Sequence, residues 1–253
     1  MTKEFTGKTA LVTGGGTGIG RASAIMLAER GCTVTVAGRT VETLNEVVAM
    51  IEASGGNARA VVCDVSDEDS VRNAVAVAIG DAGRLDFGVN SAGVSGGEDL
   101  RSTANYATET FDRIVAIDLR GTFLSMKYEL EQMARQGFGS IVNLASGAGL
   151  VGVPGFSGYT AAKHGVIGLT KTAALDYGSV GIRVNAIAAG LVATPLVATG
   201  RSPEVMAARI AAHPLGRIAQ PDEMAEAVVW LCSDKSSFVT GTALPVDGGY
   251  TAR

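Results

Sequence analysis

TALVTGGGTGIG, residues Thr9 to Gly20, is the stretch whose reading decides the architecture. Residues 9–12 have the unbroken apolar character of a short strand buried on both faces, and a glycine-dense turn follows at once. Residues 21–30 then read as a helix. A strand, a glycine turn and a helix in that order bring backbone N–H groups to a helix N-terminus, where an anion is favoured. Gly14, Gly18 and Gly20, with Thr17 and Ile19 among them, let the chain turn tightly and approach a pyrophosphate. The Gly-x-Gly-x-x-Gly spacing does not fit these residues without a miss, and the lysine of a nucleoside-triphosphate loop is absent. The context points to a dinucleotide site.

Outward from this turn the pattern repeats. A strand over 33–37 ends at Gly38-Arg39-Thr40. In a dinucleotide-binding sheet this end faces the adenosine ribose, where an acid accepts from the 2′-hydroxyl and an arginine pairs with a 2′-phosphate. The acid position is glycine and its neighbour is Arg39, which favours NADP(H) over NAD(H). A helix over 41–53 stops at Ser54-Gly55-Gly56, and a third strand covers 58–63. Asp64 and Val65 follow it, either beside the adenine or, for Asp64, as the cap of a helix starting near Asp67 or Glu68. After a helix to residue 82, a strand over 85–89 delivers Asn90-Ser91-Ala92-Gly93, small residues that let the backbone pass close to a cofactor. Three strand-helix repeats imply a parallel sheet with right-handed crossovers, an α/β fold.

The second half carries the chemistry. After a Gly/Ser-rich loop over 94–103, residues 105–137 hold two helices or one interrupted helix. Phe111, Ile114, Val115, Leu119, Phe123 and Met126 recur at helical spacing as core or subunit interface, and Asp118 stands inside that apolar series. A buried carboxylate there needs a partner, so Asp118 is either solvated beside the stripe or part of the catalytic pocket. A strand over 141–144 leads to Ser146, and a helix over about 157–176 places Tyr159 and Lys163 four apart on one face. The ammonium favours the phenolate and brings tyrosine toward proton transfer near neutral pH. With Ser146 as a third polar group, the set holds and protonates a carbonyl. A strand over 181–187 leaves Gly190, Val192 and Thr194 at the carboxyl edge of the sheet, where ligands bind in open α/β folds. Residues 195–214 read as a small apolar lid with Leu196, Val197, Met206 and Ile210, and His213 as a lid-packing or surface histidine ahead of one that approaches substrate. Pro221, Asp222 and Glu223 open a helix to residue 232, and 238–241 with 243–246 complete the sheet.

Composition excludes several classes. The chain has 253 residues, 47% of them hydrophobic and 18% charged, which suits one domain over 1–253 with a lid at about 195–214. A formal net charge of -4 offers no basic footprint for nucleic acid or a membrane surface. Cys32, Cys63 and Cys232 are isolated in apolar surroundings and read as buried free thiols, and two histidines at 164 and 213 suggest no metal site. The first residues lack a signal-peptide pattern and no apolar run reaches ~20 residues, so a reducing, cytoplasmic setting is expected.

These motifs together resemble the short-chain dehydrogenase/reductase family from Lys8 to Gly249: Thr13-Gly-x-x-x-Gly-Ile-Gly20, Asp64-Val65, Asn90 to Gly93, Ser146 thirteen residues before Tyr159, Tyr159-x-x-x-Lys163, and Asn185, Gly190 and Thr194. The resemblance implies a three-layer α/β/α Rossmann fold with a doubly wound, parallel, seven-stranded sheet. It implies hydride exchange between NADP(H), or NAD(H), and a small-molecule carbonyl or secondary alcohol, without a metal. Tyr159 is then the general acid or base, Ser146 orients the substrate oxygen, and Lys163 both tunes Tyr159 and meets the nicotinamide ribose. Asn90 matches the cofactor-loop asparagine, Thr194 a contact of the nicotinamide carboxamide or phosphate, and Ile19 borders the cofactor. Such proteins are commonly homotetramers built on the central helices and C-terminal strand.

Three positions depart from the family pattern. Ser91 replaces an asparagine, Ala189 replaces the proline before Gly190, and Asp118 stands where an asparagine helps hold a water that relays protons to the lysine. Asp118 motivates one alternative, a nucleotide-binding protein with little chemistry acting as a regulatory or structural partner.

Overall fold

The computed structural model describes residues 3–95, 101–198 and 202–252. Residues 96–100 of the expected 94–103 loop and 199–201 of the expected lid lie outside the described residues. Seven strands, β1 (Thr9–Thr13), β2 (Thr33–Gly38), β3 (Asn57–Val62), β4 (Phe87–Asn90), β5 (Gly139–Leu144), β6 (Ile182–Ala189) and β7 (Ala243–Val246), form one sheet in the order β3-β2-β1-β4-β5-β6-β7. Every pairing is parallel. The helices are α1 (Gly18–Glu29), α2 (Val41–Ala53), α3 (Glu68–Ile79), α4 (Thr108–Ile114), α5 (Gly121–Gln136), α6 (Ser157–Tyr177), α7 (Pro195–Ala198), α8 (Pro203–Ala211) and α9 (Pro221–Cys232).

Alternate strand residues feed two cores. Val12, Val34 and Val142 pack with Leu27, Val47 and Val228 of α1, α2 and α9 on one face. Leu11, Ile141 and Val184 pack with Val71, Leu124 and Ala173 of α3, α5 and α6 on the other. This is the expected three-layer arrangement, and full burial of all five β1 residues explains why that strand lacks polar alternation. The chain winds outward from β1 to β3, then resumes at β4 on the other side of β1. The crevice beyond the carboxyl ends of β1 and β4 is therefore the topological switch point. Register pairs Thr13 with Asn90, which sets the glycine turn beside the loop leaving β4.

Between the two readings of 105–137, the chain adopts an interrupted run. α4 passes directly into a π-helical segment, Val115–Arg120, and then into α5. The expectation of a strand at 238–241 is corrected. Gly241 has φ 75° and Phe238 is fully exposed, so this stretch turns toward β6 without extending. Asn185 holds it there: Nδ2 donates to Val239 O at 2.9 Å and Oδ1 accepts from Thr242 N at 3.2 Å. Backbone bonds to β6 are already made by Gly241 N to Val184 O and by Ala186 N to Thr242 O, both at 2.8 Å, and regular strand pairing runs from Ala243.

Candidate active site

The glycine turn and the β4 loop cross at close quarters. Gly14 and Gly18 have φ of 64° and 52°, conformations that disfavour a side chain. A Cβ on Gly14 would lie 2.7 Å from Ala92 N, and one on Gly18 would lie 3.0 Å from Thr194 Cγ2. The turn thus brings together the loops that leave β1, β4 and β6. Gly20 is buried, and a Cβ there would lie 2.3 Å from Gly14 O, so its bareness lets α1 pack down onto the turn. Thr17 stands at the N-cap of α1 with no side-chain capping bond.

Gly14, Thr17, Arg39, Asp64, Val65, Ala92 and Gly93 line one cavity of about 190 Å³. Gly16 and Thr40, members of the glycine turn and of the β2 strand end, also line it, as do Thr43 and Ile117, which no local motif announces. Asp64 Oδ1 accepts from the Ser66 hydroxyl at 2.7 Å and the Ser66 N–H at 2.9 Å. These two bonds hold its carboxyl below the usual range despite some burial, with Arg39 adding to the effect. The helix cap is Asp67, whose Oδ1 accepts from Ser70 N at 2.8 Å, and Asp64 remains on the cavity wall.

Asn90 presents its side chain to the interior. Nδ2 donates to Glu129 Oε2 and to Asn143 Oδ1, both at 3.0 Å, so any contact to a cofactor from this position is made by backbone. Ile19 and Val192 pack on the core, Val192 bridging to Ala219, and line neither this cavity nor the next.

A second cavity, of about 380 Å³, opens beyond the ends of β5 and β6. Ser146 and Tyr159 both lie on its wall, together with Gly190, Leu196, Val197 and Phe156. Residue 146 follows β5, and α6 begins at Ser157, so the loop between folds back and delivers the serine to the tyrosine's cavity. Phe156 meets Tyr159 edge-on at 6.3 Å between centroids. Lys163, one turn along α6, is buried beneath, with Nζ 5.5 Å from the Tyr159 ring centroid. Nζ donates to Leu144 O at 3.0 Å and lies 3.2 Å from Asp118 Oδ2.

Asp118 is therefore fully buried and paired, not solvated beside the apolar stripe. Its Oδ1 accepts from Val94 N at 2.8 Å, while the Lys163 contact through Oδ2 is an ion pair off hydrogen-bonding alignment. The π turn carries this residue, and such turns gather at functional sites. Burial works against a charged Lys163, but the charges of Asp118 and Tyr159 outweigh it and raise the lysine pKa.

His213 and Tyr250 complete the far wall, the rings stacked at 4.9 Å and 22°. The Leu191 N–H donates to His213 Nε2 at 3.1 Å, so Nδ1 carries the proton and donates to Arg209 O at 2.8 Å. His213 is thus a neutral strut between α8 and the loop after β6. Asp247 accepts from Gly249 N, Thr251 N and Thr251 Oγ1, folding the tail so that Tyr250 reaches the cavity. Tyr250, Arg209 and Phe156 were not foreseeable as wall residues, because only tertiary packing brings them to Tyr159.

Among the described residues, no helix is long and apolar enough to cross a membrane, and no group of three acidic, histidine or cysteine side chains is arranged to hold a metal. The family model described as enoyl-(acyl carrier protein) reductase matches residues 14–251. Cyclohexanol dehydrogenase of Acinetobacter sp. (strain SE19) is 42% identical, covering 100% of this chain and 98% of its own. Cis-4-hydroxycyclohexanecarboxylate dehydrogenase of Sinomonas cyclohexanicum is 43% identical over 100% of both chains. The crystal structure of levodione reductase superposes with a TM-score of 0.94 at 38% identity, covering 98% of this chain and 99% of that one. With the parallel sheet, the glycine turn and the Ser146, Tyr159 and Lys163 positions already in place, these likenesses show that the chain belongs to the short-chain dehydrogenase/reductase family, enzymes that use NAD(H) or NADP(H) on alcohol and ketone groups.

Proposed function

We propose that this chain is an oxidoreductase that exchanges hydride between NADP(H) and the carbinol or carbonyl carbon of an apolar, ring-bearing secondary alcohol or ketone. The observation that carries the reading is the placement of Ser146 and Tyr159 on the wall of one largely apolar cavity, above buried Lys163. The ring preference rests on the relatives named for cyclohexane-derived alcohols and on the aliphatic and aromatic lining.

The residues fit a dinucleotide. A Cβ on Gly16 would lie 2.5 Å from Thr43 Oγ1, so the bare turn leaves a groove beside an uncapped helix N-terminus that suits a pyrophosphate. Gly14, Thr17, Gly18, Gly20, Ala92 and Gly93 then form the pyrophosphate turn, Asp64 and Val65 the adenine edge, and Gly190 and Thr194 the nicotinamide edge, with Ile19 and Val192, whose side chains pack on the core, contributing backbone. When bound, the nicotinamide supplies or accepts the hydride. Tyr159 passes the proton to the substrate oxygen in reduction and takes it in oxidation, Ser146 donates to that oxygen as charge develops, and Lys163 favours the phenolate. Residues 195–214 serve as the lid within a single domain, and the working assembly is a cytoplasmic homotetramer.

Arg39, at the mouth of the adenosine cavity beside Gly38, supports NADP(H). It is exposed, and its guanidinium can also rest in solvent, which leaves NAD(H) as the second reading. Steady-state turnover of a panel of cyclic alcohols and ketones with both cofactors tests the whole. The expected result is turnover favouring NADP(H), with activity lost in Tyr159→Phe while cofactor affinity by calorimetry is kept. A strong NAD(H) preference overturns the Arg39 assignment, and cofactor binding without turnover on the panel overturns the catalytic one.

A further inference from the structure

Arg209 is the one charged side chain among the described residues that line the substrate cavity, and no carboxylate joins it there. Its Nη1 is buried and has no hydrogen-bond partner. The guanidinium carbon lies 5.9 Å from the Phe156 ring centroid, and the same ring stands 6.3 Å from that of Tyr159. Phe156 is therefore a common neighbour of the phenol and the guanidinium, and all three line the one cavity. The backbone of Arg209 is fixed, since its carbonyl accepts from His213 and His213 is tied to Leu191.

A buried donor without a partner is unfavourable, and the face of one phenyl ring offsets only part of that. The arrangement is satisfied when a ligand brings the missing acceptor, and for a guanidinium in an apolar cavity the best acceptor is a carboxylate. We propose that Arg209 is the specificity-determining residue of this cavity, selecting cyclic secondary alcohols or ketones that carry a carboxylate on the far side of the ring from the reacting carbon. The inference rests on the reading of Tyr159 and Ser146 as the reacting end of the site. The alcohol or carbonyl oxygen lies at Tyr159, the ring lies along Phe156, and the carboxylate meets Arg209.

The test compares kcat/KM for cyclohexanol and for cis- and trans-4-hydroxycyclohexanecarboxylate, with NADP+ and with NAD+, in the full chain and in Arg209→Met and Arg209→Lys. One carboxylate isomer is expected to exceed cyclohexanol by roughly 10- to 100-fold in the unaltered enzyme, a typical yield for a charge-assisted bond. Arg209→Met is expected to abolish that ratio, chiefly through KM, and Arg209→Lys to keep part of it. Turnover of cyclohexanol without a carboxylate preference, or a preference that survives Arg209→Met, overturns the inference and leaves the oxidoreductase reading intact. A Met variant that slows all three substrates by one common factor likewise overturns it, making Arg209 a lid-packing residue. A second measurement does not depend on turnover: cyclohexanecarboxylate is expected to raise the Tm of the enzyme with cofactor more than cyclohexanecarboxamide does, and equal shifts overturn the inference. If no substrate turns over while the carboxylate shift is present, the oxidoreductase reading fails and the Arg209 contact stands.

Discussion

Asp118 gives Lys163 a fixed negative neighbour at 3.2 Å, at a position where the family resemblance implies a neutral amide. The consequence concerns the field at Tyr159, because part of the lysine's positive charge is answered from its other side. Asp118→Asn removes that answer. The amide oxygen can still accept from Val94 N, so folding is expected to survive. The lysine pKa falls as it loses its anionic support, and the charge it presents toward Tyr159 is no longer partly answered from its other side. In the oxidative direction, where Tyr159 takes the proton, the acidic limb of kcat/KM is therefore expected to move to lower pH. A pH profile that does not move places Asp118 outside the proton path. At this scale the sequence was informative where chemistry is local. Tyr159 and Lys163 are one helical turn apart and Ser146 ends a strand just upstream, and it is the dinucleotide turn and strand order before them, more than their spacing, that mark the set as chemical. The status of Asp118 was not legible in this way, since its burial depends on where the π turn aims it. Arg209 was less legible still: nothing near it in the chain says that Phe156 and Tyr159 will be its neighbours.

At the scale of elements, the glycine turn was readable because strand, turn and helix are contiguous, and strand bounds came within a few residues. The stretch at 238–241 was misread because Asn185, more than fifty positions away, supplies the bonds that divert it. Glu129 shows the same limit. On α5 it reads as one more polar residue, yet it is fully buried against Asn90 of β4, which also bonds Asn143 of β5, and Asn143 Nδ2 donates to Thr170 of α6. Glu129 Oε1 and Asn90 Oδ1 have no donor, so a proton on Glu129 brings the cluster a donor it lacks. Burial pushes the Glu129 pKa up to about 7 from an ordinary 4.5, the bond from Asn90 pulling modestly the other way. Between those two values the folded chain keeps a proton that the unfolded chain has released, so rising pH lowers stability across that window. The loss is roughly 3 kcal/mol in all and is complete above the folded value. Glu129→Gln keeps a carbonyl acceptor for Asn90 and removes the charge. Urea denaturation at pH 5 and pH 8 is expected to show the variant close to the unaltered protein at pH 5 and more stable by about 1–3 kcal/mol at pH 8. An equal loss in both proteins between these pH values would assign the dependence to other groups.

For the molecule as a whole, both helical faces leave large apolar groups open. The face with α1, α2 and α9 exposes Val41, Met50 and Trp230, while the α4 to α6 side exposes Phe111, Phe123 and Leu175, the last at 85%. Phe111 and Phe123 belong to the same periodic series as Ile114 and Met126, which are buried. One apolar stripe is thus shared between the protein core and its surface, as expected of helices that pack inward and against another copy. The proposed closed symmetric assembly, if it uses this face, would account for the stripe and would tie quaternary structure to chemistry, because the same helical run carries Asp118. We therefore expect light scattering on the purified protein to give four times the protomer mass. Phe123→Glu, which sets a charge in the middle of the shared stripe, is expected to lower that mass to a dimer or monomer while the far-ultraviolet circular dichroism stays that of the parent. Activity should fall with assembly, by roughly tenfold or more if the partner's helices hold the π turn in place. A monomeric parent protein would sink the assembly outright. A Phe123→Glu protein that remains a tetramer would move the interface to another face and leave the exposed stripe without this explanation.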